Sequence, residues 1–256
     1  MQARSERVDF ANKRGERLAA RLELPGGVPQ AYAIFAHCFT CSKDFPVVTH
    51  ISRALTAHGV AVLRFDFTGL GNSEGDFANT NFSSNVEDLL CAADYLRDIG
   101  PGAQLLLGHS LGGAAVLAAA ADIAESRAIV TIAAPSSTQH LETLLADQLH
   151  GIEAAGEVQV HIGGRGFAIR QQLLDDIRAL TLAHKVEALA KPLLVFHSPQ
   201  DETVPIEHAY ELFALAQHPK SFISLDRADH VLSDREDAKY VTDLIAAWSQ
   251  RYLGLS

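Results

Sequence analysis

The chain has 256 residues, 48% of them hydrophobic, which is enough to bury one large core; with no Ser/Gly linker and no repeat, a single domain over 1–256 is the default. Its formal net charge of -10, with no Lys/Arg run anywhere, argues against nucleic acid or an anionic membrane surface as a partner, because both require clustered positive charge. Three cysteines are too few for a disulfide framework and the first residues lack the apolar core of a secretory leader, so a cytoplasmic protein is expected, and no apolar run approaches the roughly 20 residues of a membrane span.

Taken in chain order, the pattern predicts strands over 18–24 and 31–36, a helix over 47–58, a strand over 60–65, a helix over 85–99, a strand over 105–107, a helix over 112–124 and a strand over 128–133. After residue 185 the order resumes with a strand over 193–197, a helix over 206–217, a strand over 221–225 and a helix over 234–252. The strands are short Val/Ile/Leu/Phe-rich runs with little alternation, as strands buried on both faces are. Repeated alternation of strand and helix implies the α/β class, with a mostly parallel sheet flanked by helices. Residues 136–185 interrupt it. There a helical pattern near 141–149 precedes a strand over 157–162, the turn Gly163-Gly164-Arg165-Gly166, a strand over 167–169 and a helix over 171–178. This reads as a small cap insertion built on a β-hairpin.

In such a sheet, ligands sit beyond the carboxyl ends of the strands. The loop after 105–107 reads Gly108-His109-Ser110-Leu111-Gly112-Gly113, a G-x-S-x-G between a strand and an Ala-rich helix, which is the pattern of a nucleophile elbow. A serine hydroxyl needs a base, and the base needs an acid to orient it. After the elbow, the expected order is Asp or Glu, then His, on later post-strand loops. Asp201 and His230 occupy those places. Glu202 is a rival acid, with Asp226 and Asp229 weaker ones.

These three motifs resemble the α/β-hydrolase superfamily along nearly the whole chain. Asp66-Phe67-Thr68-Gly69-Leu70-Gly71-Asn72-Ser73 is similar to the D-x-x-G-x-G-x-S loop that follows the fourth strand of that fold; its glycines miss the dinucleotide-binding spacing. His37-Cys38-Phe39-Thr40-Cys41 resembles the H-G-F-T-G loop of bacterial cinnamoyl and feruloyl esterases, with cysteine in place of both glycines. The same loop, with residues 76–85, resembles the hydrolase part of bacterial proteins fused to an OsmC-like domain, so a covalent or functional link to such a domain is a further implication.

The resemblance implies a serine carboxylesterase acting on small-molecule esters through Ser110, His230 and Asp201, with the backbone N–H groups of Phe39 and Leu111 as oxyanion donors. Thioesters and aryl esters are alternative substrates. Phe39, His109 and Phe77 are the expected substrate contacts, with Phe82 nearby, and no cofactor is called for. Cys38 and Cys41 are open to three readings. They are small side chains filling a tight loop, a regulatory disulfide of a redox-sensing module, or metal ligands, although no second C-x-x-C or close His pair completes four ligands.

Overall fold

In the computed structural model, which describes residues 2–162 and 165–254, the apolar runs pair edge to edge into an eight-stranded sheet. Its strands are β1 (Arg4–Ala11), β2 (Arg17–Leu24), β3 (Ala31–Ala36), β4 (Val60–Phe65), β5 (Leu105–His109), β6 (Ala128–Ile132), β9 (Leu193–His197) and β10 (Lys220–Ser224), in spatial order β1-β2-β4-β3-β5-β6-β9-β10. A separate hairpin pairs β7 (Glu157–Ile162) with β8 (Arg165–Arg170). The first two pairings, β1 with β2 and β2 with β4, are antiparallel, and the rest of the large sheet is parallel. The helices are α1 (Pro46–Leu55), α2 (Phe82–Ile99), α3 (Leu111–Ala119), α4 (His140–Leu144), α5 (Leu149–Ala155), α6 (Gln171–Ala179), α7 (Leu182–Glu187), α8 (Glu207–Leu215) and α9 (Arg235–Leu253).

Successive side chains of a strand point to opposite faces, so an unbroken apolar run calls for cover on both. Ala33, Phe35, Leu105 and Leu107 pack under α1 and α9, through Val48, Ile51, Val241 and Ile245. Their neighbours Ile34, Ala36 and Leu106 face the opposite layer, which holds Leu89 and Leu96 of α2, Val116 of α3 and Leu212 of α8. The parallel sheet flanked by helices is the expected architecture. Among the described residues no helix is long and apolar enough to cross a membrane.

Four local expectations need correcting. β1 was not expected, because an edge strand with one antiparallel neighbour keeps most of its side chains in water and shows no apolar run. Helix α2 begins three residues earlier than the pattern suggests, at a capping box in which Asn81 Oδ1 accepts from Ser84 N–H (2.8 Å) and Asn81 N–H donates to Ser84 Oγ (2.9 Å). The single helix expected near 141–149 is two, α4 and α5, and α7 adds a short helix before β9. The cap hairpin is present with strands over 157–162 and 165–170, while Gly163 and Gly164 of its turn lie outside the described residues.

The Asp66 loop proves to be a brace for the loop after β3. Asp66 is fully buried; its Oδ1 accepts from Lys43 N–H (2.6 Å), and its Oδ2 from Lys43 Nζ (2.7 Å) and Asn72 N–H (2.8 Å). A Cβ on Gly71 would stand 2.2 Å from the Asp66 carboxylate, so glycine is required there. Beside it, Arg64 buries its guanidinium against Glu23 Oε1 (2.7 Å), Asp44 Oδ1 (2.7 Å) and the Lys43 carbonyl (2.6 Å). A charge taken out of water needs such a full set of partners.

Candidate active site

Ser110 follows β5 at the top of the sheet with φ 55 and ψ -125, a backbone conformation that L-residues rarely adopt. The glycines around it are steric necessities. A Cβ on Gly108 would meet the Gly112 carbonyl at 2.3 Å, one on Gly112 the Ala36 carbonyl at 2.3 Å, and one on Gly113 the Ala134 Cβ at 2.5 Å. The G-x-S-x-G pattern therefore lets β5, α3 and β3 approach one another closely while the serine is thrust outward.

Two later loops meet it there. His230 follows β10, and its Nε2 lies 3.1 Å from Ser110 Oγ; its Nδ1 lies 2.8 Å from Oδ2 of Asp201, which follows β9. The Asp201 side chain is fully buried and that of His230 is 13% exposed. Asp201 Oδ1 accepts from Thr203 N–H (2.9 Å) and Val204 N–H (2.8 Å), which leaves Oδ2 aimed at the imidazole. Burial works to raise the Asp201 pKa, but the His230 hydrogen bond and the two amides outweigh it and hold the carboxyl below the usual aspartate value. The rival acids are elsewhere: Glu202 is exposed, Asp226 Oδ1 accepts from Ser224 Oγ (2.9 Å), and Asp229 Oδ1 accepts from Ser233 N–H (2.8 Å).

Two fully buried histidines support this arrangement. His197 Nε2 donates to the Val204 carbonyl (2.7 Å) and passes 3.5 Å from Asp201 Oδ2, and burial lowers its pKa. His109 Nε2 donates to the His230 carbonyl (2.7 Å), and its ring lies 5.1 Å from that of His230. His109 was expected to touch substrate; it does not line the cleft, because the elbow turns Ser110 outward and sends its predecessor back into the sheet. Its contact with the site is the hydrogen bond to the His230 carbonyl.

Burial, with His230 beside it, pushes the His109 pKa from 6.5 down to about 4. The unfolded chain protonates this residue at its ordinary value and the folded chain only near the lower one. Its contribution to stability is therefore complete above 6.5 and is lost as pH falls toward about 4. The loss is on the order of 3 kcal/mol. The urea midpoint is expected to drop between pH 7 and pH 4.5, and to drop less in His109→Gln, whose amide still donates to the His230 carbonyl. An equal drop in both proteins would show that His109 is not held neutral.

Leu111 opens α3, so its N–H has no acceptor within the helix. Phe39 follows β3 across from it, in a loop where Cys38 and Cys41 are joined by a disulfide and Thr40 holds φ 60. Of the three readings of the cysteine pair, only the second requires this covalent bond. His37 lies beneath, neutral through burial, donating from Nδ1 to the Cys38 carbonyl (2.8 Å) and accepting at Nε2 from Phe67 N–H (3.4 Å).

The cleft over Ser110 has a volume of about 510 Å³ and is lined chiefly by Phe39, Phe45, Leu144, Leu145, Val231 and the two disulfide cysteines, with Arg165 at its edge. Phe39 lies where a substrate contact was expected. Phe77 stands behind it, with ring centroids 5.6 Å apart, and rests in turn on Phe167 at 5.1 Å. Phe82, also expected nearby, is buried in the core at the start of α2.

Several participants could not be read from the sequence. Phe45, Leu144, Leu145 and Val231 carry no pattern that distinguishes a cleft wall from a core. His140 on the cap donates from Nε2 to the Thr203 carbonyl (2.8 Å) and faces His208 Nε2 through Nδ1 (3.3 Å), while His208 Nδ1 meets Ser136 Oγ (2.8 Å). This chain ties the cap to the loop that carries Asp201. The residues it bonds together are 63 to 72 positions apart, so no local motif announces it.

Residues 33–244 match the profile of the alpha/beta hydrolase family. The crystal structure of an esterase domain from a Rhodothermus marinus protein superposes with a TM-score of 0.78, at 48% identity over 99% of this chain and 100% of that one. Est1E from Butyrivibrio proteoclasticus, solved with ferulic acid bound, shares the fold with a TM-score of 0.80 at 20% identity, over 96% of this chain and 99% of that one. Among curated sequences, the mitochondrial palmitoyl-protein thioesterase ABHD10 of Rattus norvegicus is 26% identical over 191 residues, which are 70% of this chain and 62% of that protein. Fold, elbow and profile agree: the chain belongs to the alpha/beta hydrolase family.

Proposed function

We propose that this hydrolase is a serine carboxylesterase that cleaves small carboxylic esters through an acyl-enzyme. The observation that carries the reading is the hydrogen-bonded line from Ser110 Oγ through the His230 ring to Asp201 Oδ2, at 3.1 and 2.8 Å. With Nδ1–H donating to Asp201, the His230 Nε2 lone pair faces the serine hydroxyl. As Oγ attacks the ester carbonyl carbon, its proton passes to Nε2, and Asp201 stabilises the resulting imidazolium. The carbonyl oxygen takes up negative charge facing the N–H groups of Phe39 and Leu111, each worth about 3 kcal/mol to the transition state. His230 then returns the proton to the leaving alkoxide. Water enters and repeats the cycle on the acyl-serine.

A cleft of about 510 Å³ walled by Phe45, Leu144, Leu145 and Val231 suits a short apolar acyl or aryl group. Leu144 is 46% exposed at the mouth, an apolar surface left for a ligand to cover. A thioester is the second reading, favoured by kinship with the palmitoyl-protein thioesterase. A cytoplasmic setting belongs to the same proposal and rests on composition.

The test is a series of p-nitrophenyl acetate, butyrate and octanoate set against the S-acyl analogues of the same acids. The expected result is a kcat/KM for the acetate or butyrate ester above that of the octanoate, and oxygen esters at least equal to thioesters. Thioesters faster by tenfold or more would reassign the enzyme to the second reading. Hydrolysis of none of them would remove the esterase reading.

A further inference from the structure

Hydrolysis as derived above makes no use of the Cys38–Cys41 disulfide, yet the structure sets it in the wall of the same cleft. The two cysteines close a four-residue ring, Cys38-Phe39-Thr40-Cys41, with Cα atoms 5.4 Å apart and a hydrogen bond from Cys41 N–H to the Cys38 carbonyl of 3.2 Å. Phe39, whose amide is the proposed oxyanion donor, lies inside the ring. So does Thr40, a β-branched residue at φ 60 that favours other conformations when released. The two cysteines also differ in access. Cys38 is only 6% exposed, whereas Cys41 is half-buried and reachable from the cleft.

We propose that Cys38–Cys41 is a second reactive centre, a thiol–disulfide exchange site that takes a small dithiol in the ester cleft, and that its state sets the rate of hydrolysis. The second clause rests on the esterase reading; the first does not. The access difference fixes the direction of exchange. A thiolate of the dithiol attacks Cys41 Sγ, the protein S–S bond breaks, and Cys38 leaves as thiolate and takes up a proton. The second thiol then attacks the dithiol's own sulfur in the mixed disulfide, forming a cyclic disulfide and releasing Cys41 as a thiol. The dithiol loses two electrons and two protons, and the cysteine pair gains them. In the thiol-buffered cytoplasm proposed above, disulfides are characteristically redox-sensing or catalytic, which agrees with this assignment.

Reduction leaves the ring held by hydrogen bonds only: Cys41 N–H and His37 Nδ1 to the Cys38 carbonyl, and Thr40 Oγ1 to the Phe39 carbonyl (2.7 Å). Thr40 is then free to leave its left-handed conformation, and the Phe39 amide turns away from the oxyanion. Deleting one such donor outright costs about a hundredfold to a thousandfold in kcat, so a loosened one is expected to cost at least about tenfold. Cys91, the remaining cysteine, lies half-buried on α2 away from the cleft, and burial raises its thiol pKa. It serves as the internal reference.

The test treats oxidised wild-type protein with dithiothreitol, removes the reagent, then counts thiols in denaturant and measures p-nitrophenyl acetate hydrolysis. The expected count rises from one thiol (Cys91) to three (Cys91 with Cys38 and Cys41). Hydrolysis is expected to fall by at least about tenfold and to return on reoxidation. A Cys38→Ser/Cys41→Ser double variant should sit at the reduced rate and ignore dithiothreitol, and if it does not fold, wild type reduced and capped with iodoacetamide reports the same state. The count in Ser110→Ala should rise in the same way, which separates exchange from hydrolysis. If neither redox state of the wild type hydrolyses ester, the esterase reading falls while the thiol count still decides the exchange site. A count that stays at one in folded protein, or a full count with an unchanged hydrolysis rate, overturns the proposal.

Discussion

Ser110→Ala is expected to lower kcat for p-nitrophenyl acetate by at least about a thousandfold while leaving KM within a few-fold of wild type. The substitution removes the one atom that forms the acyl-enzyme, and it leaves the cleft walls and both proposed oxyanion donors in place. What survives is the catalysis those donors and substrate binding provide by themselves. The elbow should persist, because its shape is imposed by Gly108, Gly112 and Gly113 against β3 and α3, not by the serine side chain. An unchanged melting temperature alongside the lost rate marks the loss as chemical. Retention of a tenth or more of wild-type kcat would place the nucleophile elsewhere.

Asp201→Asn is expected to cost about ten-thousandfold in kcat, for a reason the local geometry makes specific. Oδ1 of residue 201 accepts two backbone hydrogen bonds, from Thr203 and Val204, so an asparagine must place its carbonyl oxygen there and turn its amide nitrogen toward His230. That nitrogen donates. The imidazole then has to accept at Nδ1 and carry its proton on Nε2, where it faces Ser110 Oγ and cannot serve as base. The fold should tolerate the change, since both backbone hydrogen bonds are kept. Asp226→Asn and Asp229→Asn are expected to stay within about twofold of wild type, because those carboxylates are engaged by Ser224 and Ser233. A loss of less than tenfold in Asp201→Asn would transfer the acid's role to another carboxylate, Glu202 first.

The parallel core and the elbow were legible in the sequence because both are written in short local patterns. An apolar run such as 31–36 has to be covered on two faces, and a serine between glycines after such a run has few other uses. Asp201 and His230 were found by order and loop placement, and the structure brings both to Ser110. His109 was misassigned because sequence adjacency to Ser110 suggested exposure, whereas a strained turn sends neighbouring side chains in opposite directions. Phe77 was placed in the cleft and instead stands behind Phe39. β1 escaped notice because an edge strand facing water has no apolar signature, and α2 started early because Asn81 and Ser84 form a capping box without the usual acidic residue. The tie between the cap and the loop after β9 was invisible for another reason. His140, His208 and Ser136 come together only after the cap has folded over α8, and no spacing along the chain encodes that contact.

In the proposed mechanism, Ser110 becomes the covalent nucleophile when His230 takes its proton. This step is tested most directly by treating the oxidised protein with a fluorophosphonate and mapping the adduct by mass spectrometry while following ester hydrolysis. The expected result is a stoichiometric adduct on the peptide containing Ser110, loss of hydrolysis in step with labelling, and no adduct in Ser110→Ala. A label on a different residue that abolishes hydrolysis, or hydrolysis that continues undiminished in fully Ser110-labelled protein, would contradict it.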